Sequence, residues 1–374
     1  MTERNLAAFQ EFFKESRARL TKECAAYNRA LKKDKNPIIR VFKQDFADLN
    51  EGGKMLRGML VNLGYRIAGG EDLAYSDALA LAFEIFQTSV LIHDDIIDNA
   101  ETRRGKYTIG RRYEHRLKVR GTKMVAEPDG PDDVARSAAL CVGDLGLYLA
   151  NVKLAEAYRE HPAFADLILY FDDVIVRTIR GELLDVVLPY ELQDISYSEE
   201  EGRKLLEKSI REIYHLKTAC YSVIGPLHLG MMLGGAKEED MRALDRFADD
   251  VGIAYQIMDD ILGIYAEAGF LGKDVGSDIS EFKQTILYMY VMNEAAPEYK
   301  RDLLKVYGKA HVTEPILDEV RKIFDESGAY DYAKDTMRAC FLRAERRLSR
   351  MKFLSDEDRA ILRGFLMWCQ GRRK

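Results

Sequence analysis

The sequence predicts an all-α protein, and three observations carry that expectation. Only 8 prolines occur in 374 residues, long stretches are rich in the helix-forming residues Ala, Leu, Glu, Lys and Met, and apolar residues recur at three- and four-residue steps. The composition, 47% apolar and 32% charged, is that of a folded, water-soluble chain with a sizeable core, which excludes disorder and fibrous repeats.

Helices are predicted over 5–31, 75–98, 134–158, 163–187, 202–233, 238–265 and 331–348. Within 75–98, Leu79, Phe83, Phe86, Val90 and Ile97 mark a helix that buries one side, so its acidic end projects from a buried element. Breaks fall at Glu51-Gly52-Gly53, at Ala68-Gly69-Gly70, over 120–133 (with Pro128, Gly130 and Pro131) and over 269–280. No Pro-, Gly- or Ser-rich linker and no internal repeat divides the chain, so one domain over 1–374 is expected.

The five cysteines are odd in number and far apart, which suits free thiols in a reducing compartment and points to the cytoplasm. The N-terminus lacks the basic-then-apolar pattern of a secretory signal, and no apolar run reaches the roughly 20 residues of a membrane span. Net charge is −6 with both signs mixed along the chain, which argues against a nucleic-acid partner.

Two acidic clusters carry the chemistry. In His93-Asp94-Asp95-Ile96-Ile97-Asp98, Asp94 and Asp98 are four apart and share a helix face, with Asp95 about 100° round. The second is Gln256-Ile257-Met258-Asp259-Asp260-Ile261-Leu262-Gly263, again a carboxylate pair inside an apolar helix. Like charges so placed repel, and desolvation adds to the cost, so something positive belongs between them. Oxygen ligands without nearby Cys favour a hard cation such as magnesium, completed by substrate phosphates. Asp172-Asp173 and Asp249-Asp250 have no basic motif after them and read as surface acids. His93, just before the first acids, reads as a buried or capping histidine.

Cations cluster at Gly53-Lys54 with Arg57, at Arg103-Arg104-Gly105, at Lys217-Thr218, at Gly272-Lys273 and at Lys283. Arginine offers phosphate a bidentate contact and lysine a point charge. Each alone is an ordinary surface charge; their order around two acidic clusters points to a metal-bridged diphosphate.

With Gly143-Asp144, Gly181-Glu182 and Asp185 added, these motifs in this order resemble the trans-prenyl diphosphate synthases, the family of farnesyl and geranylgeranyl diphosphate synthases. The resemblance implies a helical bundle around a central cavity, a homodimer, and condensation of isopentenyl diphosphate with an allylic diphosphate. It implies that Asp94, Asp98 and Asp259, assisted by Asp95 and Asp260, hold magnesium, three ions per active site, against the allylic diphosphate. Arg103, Lys217 and Lys273 would grip that diphosphate, joined by Lys283. Lys54, Arg57 and Arg104 would bind isopentenyl diphosphate, with Gln87 where many relatives have histidine. Lys217, Thr218 and Gln256 would face the allylic cation.

Three departures stand out. Gly58 replaces the family's proline after the early arginine, which is expected to loosen that turn. Gly263 replaces the third acid of the second motif, and 118–133 is longer than the usual connection. Product length is expected to depend on Phe86, Ser89 and Val90 beneath the first motif: Ser89 leaves room and Phe86 is the floor, for about twenty carbons, with about fifteen or twenty-five as neighbours. The alternatives are a terpene cyclase or head-to-head synthase, which has no need of Lys54, Arg57 and Arg104, and a non-catalytic subunit of a heteromeric synthase. The terminal Gly371-Arg372-Arg373-Lys374 reads as a frayed basic tail.

Overall fold

The computed structural model describes residues 2–119, 131–191, 200–266, 275–309 and 311–371. Lys273 with Gly272, most of the long connection at 118–133, and the last three residues of the basic tail lie outside the described residues.

The all-α expectation holds. The helices are α1 (Thr2–Leu31), α2 (Pro37–Asn50), α3 (Leu56–Ile67), α4 (Leu73–Ile97), α5 (Ile109–Val119), α6 (Pro131–Tyr158), α7 (Phe164–Glu191), α8 (Glu200–Ile213), a π-helix (Tyr214–Ile224), α9 (Gly225–Leu233) and α10 (Glu238–Tyr265). Then follow α11 (Ser277–Ser280), α12 (Ile286–Glu294), α13 (Pro297–Val306), α14 (Glu314–Glu326), α15 (Ala329–Leu348) and α16 (Asp356–Gln370). Among the described residues the only strands are the two-residue pair β1 (Thr102–Arg103) and β2 (Lys106–Tyr107). Residues 131–133 and 277–280, predicted as breaks, are helical, as are Lys118 and Val119 at the end of α5.

The chain forms two compact units. One comprises Glu11–Leu169 and Pro226–Gly235, the other Met1–Gln10, Tyr170–Gly225 and Ala236–Lys374. In the first, α4 is the central helix, packed by α3 and α6. It is buried nearly all round from Leu79 to Ser89, Glu84 and Gln87 included, which corrects the expectation that it buries one side. Its partner α6 is long and apolar enough over Asp133–Tyr158 to cross a membrane by length and composition alone, a test that a core helix also passes, and it packs against α4. The side chains of α6 that turn outward include Leu140, Tyr148 and Val152, all exposed.

In the second unit, α10 is central, packed by the π-helix, α12 and α15. The predicted helix 202–233 is therefore three segments. The wide turns of the π-helix close with Gly225 N–H donating to Cys220 O, five residues back, just before Pro226, which has no N–H to give. That spacing sets His215 and Cys220 on one face, where His215 Nδ1 lies 2.6 Å from Asp249 Oδ1 and Nε2 lies 3.3 Å from Cys220 Sγ. Asp250 is buried and held by Arg343 Nε at 2.9 Å and Arg347 Nη1 at 2.5 Å. The reading of Asp249-Asp250 as surface acids is thus corrected: the pair ties α10 to the π-helix and to α15, contacts that no local pattern encodes.

The hydrogen bond to Asp249 and the Cys220 thiol raise the His215 imidazole from 6.5 to about 10. A histidine raised on folding stabilises the fold fully below its unfolded pKa and loses that contribution as pH climbs through the folded one. The thermal midpoint is expected to fall between about pH 6.5 and 10, with His215→Gln flattening the profile. A wild-type profile no steeper than the variant's would discard this ion pair.

Candidate active site

The first acidic motif occupies the last turn of α4, where the helix's own carbonyls already make a negative end. Asp98 is the C-cap and donates its N–H to Asp94 O at 2.8 Å, so the two carboxylates stand one turn apart as the spacing predicts. Positive charge is folded back onto them by the β1–β2 hairpin, in which Thr102 pairs with Tyr107 and Arg103 with Lys106. The hairpin turns at Arg104 (φ 55°) and Gly105 (φ 73°), two successive left-handed residues as in a type I′ turn. Arg103 Nη2 then donates to Asp94 Oδ2 at 2.8 Å and Arg103 Nε to Asp95 Oδ1 at 2.6 Å. Asp95 is buried, its Oδ2 has no hydrogen-bond partner among the described residues, and burial pushes its carboxyl up to about 6. It lines a cavity of about 270 Å³ with Asn99, Arg111, Glu114 and Arg136. His93, on the turn before, lies with Nε2 3.2 Å from Asp144 Oδ1.

The basic turn lies in the same unit. Lys54 is exposed and Arg57 half-buried on the first turn of α3, whose N-cap Met55 is left-handed (φ 58°) and gives no side-chain cap. Arg104 Nη1 donates to Leu49 O at 2.9 Å. The expectation that Gly58 loosens this turn is corrected: its N–H donates to the buried Glu84 carboxylate at 2.8 Å, a bond that proline cannot make. Gln87 is buried one turn along α4 from Glu84. Phe86 is fully buried, edge-on to Phe83 with ring centroids 5.7 Å apart. Ser89 is also buried and donates to Gly143 O at 2.5 Å, so its small side chain serves the α4–α6 contact; Val90 is half-buried.

The second motif sits in α10. Asp260 is buried, with Oδ1 accepting from Gln256 Nε2 at 2.8 Å and Oδ2 from the Tyr214 hydroxyl, which itself accepts from Ile286 N at 2.8 Å. Gln256 Oε1 accepts from the Thr218 hydroxyl. Burial, then the charge of Asp278, push the Asp260 carboxyl up to about 8. Both Asp260 oxygens are thus engaged inside the protein, whereas the neighbouring Asp259 is half-buried. Lys217 Nζ is gripped by Asp185 Oδ2 at 2.6 Å and Glu182 Oε2 at 2.8 Å. Lys283 Nζ lies 2.6 Å from Glu281 Oε2.

These donors suit a hard divalent cation: every candidate ligand is a carboxylate oxygen, and among the described residues the Asp95 Oδ2 has no hydrogen-bond partner. Among the described residues no three acidic, Cys or His side chains converge as a finished ligand shell.

The polyprenyl synthetase family model matches residues 41–324. The chain belongs to the polyprenyl synthetase family. It is 26% identical over 343 residues to the geranylgeranyl diphosphate synthase of Sulfolobus acidocaldarius, covering 90% of this chain and 92% of that one. It is 28% identical to the geranylfarnesyl diphosphate synthase of Aeropyrum pernix, covering 84% and 88%. The crystal structure of a geranylgeranyl pyrophosphate synthase from Corynebacterium glutamicum, complexed with isoprenyl diphosphate and magnesium, aligns with a TM-score of 0.82 at 25% identity, covering 98% and 99%. The family makes this chain a prenyltransferase.

Three residues of this polyprenyl synthetase went unassigned in the sequence: Glu84, Tyr214 and Asp278. The signal for Asp278 was Gly263. A side chain there would put its Cβ 2.6 Å from Asp278 Oδ2, so the space beside Gly263 is taken by a carboxylate on the one-turn helix α11. Gly263→Ala is expected to destabilise by about 1–3 kcal/mol in urea melts, the range for overpacking. Gly263→Ala with Asp278→Ala should cost less than the two single changes summed; strict additivity would mean that the two positions do not share this space.

Proposed function

We propose that this chain is a short-chain trans-prenyl diphosphate synthase that joins isopentenyl diphosphate head to tail to an allylic diphosphate. The observation that carries this reading is the acidic end of a buried helix, with Asp94 and Asp98 one turn apart, followed directly by a hairpin that presents Arg103 and Arg104. The allylic carbon–oxygen bond ionises, and diphosphate leaves with the electron pair. The double bond of isopentenyl diphosphate attacks the allylic cation, and the new tertiary cation loses a proton to the released diphosphate.

Asp94, Asp98 and Asp259 would hold magnesium, taken as three ions, with Asp95 and Asp260 supporting from behind. Bound there, these ions would offset the charge developing on the leaving diphosphate. Arg103, Lys217, Lys273 and Lys283 add fixed positive charge to the same group. Lys54, Arg57, Arg104 and Gln87 bind isopentenyl diphosphate, and the oxygens of Thr218 and Gln256 face the cation. Water must be kept out, since it would quench that cation. Phe86 sets the floor for a product of twenty or fifteen carbons.

The chain works as a single synthase domain in the cytoplasm, a setting that suits its five free cysteines. It acts as a homodimer. Support for the dimer is the apolar face of α6 (Leu140, Tyr148, Val152) and that of α7 (Val176, Ile179, Leu183, Val186), all exposed.

Purified protein given magnesium, isopentenyl diphosphate and each allylic primer is expected to release a C20 or C15 diphosphate; no condensation product with any primer would overturn the reading. Asp94→Ala should cut kcat by about 10²–10³-fold, the scale for losing one element of charge stabilisation. Phe86→Ala should add at least one isoprene unit, and an unchanged product would remove Phe86 as the floor. Light scattering should give twice 42.7 kDa, and Tyr148→Arg with Ile179→Arg should give the single mass.

A further inference from the structure

Glu84 is a carboxylate 5% exposed, deep in α4, and the reaction above gives it nothing to do. Burying it is costly unless it is bonded and paired. Its Oε1 accepts the N–H of Gly58 at 2.8 Å, at the start of α3. That helix end otherwise lacks a side-chain cap, because Met55 occupies the cap position. The remaining charge is met by Arg57, whose backbone N–H also bonds it, and by Arg104. Its other oxygen and the Arg104 guanidinium both border Gly53: a Cβ there would lie 3.5 Å from Glu84 Oε2 and 3.8 Å from Arg104 Nη2. The turn carrying Lys54 and Arg57 is therefore fastened at both ends, by Glu84 at Gly58 and by Arg104 at Leu49.

We infer that Glu84 is a positioning residue for the isopentenyl diphosphate site, a buried carboxylate that caps α3 through the Gly58 N–H and holds Lys54, Arg57 and Arg104 in register with α4. The inference rests on the assignment of those three cations to that substrate. Its reach is selective. Glu84 lies three residues before Gln87 and ten before Asp94 on the same helix, so its loss frees the basic turn and leaves the acidic end of α4 in place. Because Gly58 supplies the donor, the clamp is a property of this chain; a proline there would leave Glu84 with one bond fewer.

The test is steady-state kinetics of Glu84→Ala, Glu84→Gln and Lys54→Ala with both substrates varied, alongside thermal melts and direct titration of isopentenyl diphosphate by calorimetry. Glu84→Ala is expected to raise KM and Kd for isopentenyl diphosphate about tenfold, the scale of a lost charge-assisted hydrogen bond, with KM for the allylic diphosphate changed less than twofold. Glu84→Gln keeps the acceptor oxygen and the shape, and should fall between it and wild type. Gly58→Pro should mimic Glu84→Gln in direction. Parallel rises of both KM values, or a lower melting temperature with both unchanged, would overturn the inference. If Lys54→Ala leaves the isopentenyl diphosphate KM unchanged, the substrate assignment itself fails; if Lys54→Ala raises it and neither Glu84 variant does, only the role of Glu84 fails.

Discussion

Negative charge held on apolar helices is the constraint that shapes both ends of the chemistry. At the end of α4, Asp94, Asp95 and Asp98 stack on a helix terminus that is itself negative. Two carboxylates about 4 Å apart repel by roughly 4 kcal/mol at a protein-surface dielectric, several times what a helix cap contributes. Such a motif persists only with a fixed countercharge, and the Arg103 guanidinium, forked between Asp94 and Asp95, provides it. Its planar array of donors also suits it to phosphate, so one side chain can balance the acids and meet a substrate that brings cations of its own.

The second motif solves the same problem differently. Asp260 is not offered to a ligand; it is locked between Gln256 and Tyr214, and burial raises its carboxyl above the usual range. Thr218 is tied to it through Gln256, so the oxygens proposed to face the allylic cation are oriented by a buried acid. Lys217 is held by Glu182 and Asp185 on α7. The π-helix carries Lys217 and Thr218, and wide helical turns of this kind are frequent at functional sites. A flexible lysine constrained by two carboxylates loses less rotamer freedom when phosphate arrives.

The sequence conveyed a good deal of the fold. Long helices with a clear apolar stripe were readable to within a few residues at their ends, and 238–265 coincided with α10. Short helices such as α2, α3 and α12 to α14 were passed over, because nine to fourteen residues give periodicity little to work on and their boundaries are set by packing. The π-helix was invisible for a related reason: its residue types are those of an α-helix, and the contacts that its spacing allows, His215 with Cys220 and with Asp249, appear only in the folded chain. Asp250 looked like a surface acid because its two arginines lie more than ninety residues away.

The residue types that do the chemistry were set by the sequence alone: clustered carboxylates at helical spacing, with arginines and lysines beside glycines, suit few ligands other than a metal-bridged diphosphate. Helical periodicity likewise determined that Asp94 and Asp98 share a face. Tertiary structure decided which of those groups are spoken for. It turned Asp260 into an internal anchor, brought Asp278 into the space that Gly263 leaves, and made Gly58 a donor to Glu84 where a looser turn was expected. The physical reason is that local spacing fixes direction along one helix, whereas burial, desolvation and hydrogen-bond partnership depend on what another helix brings to the same place.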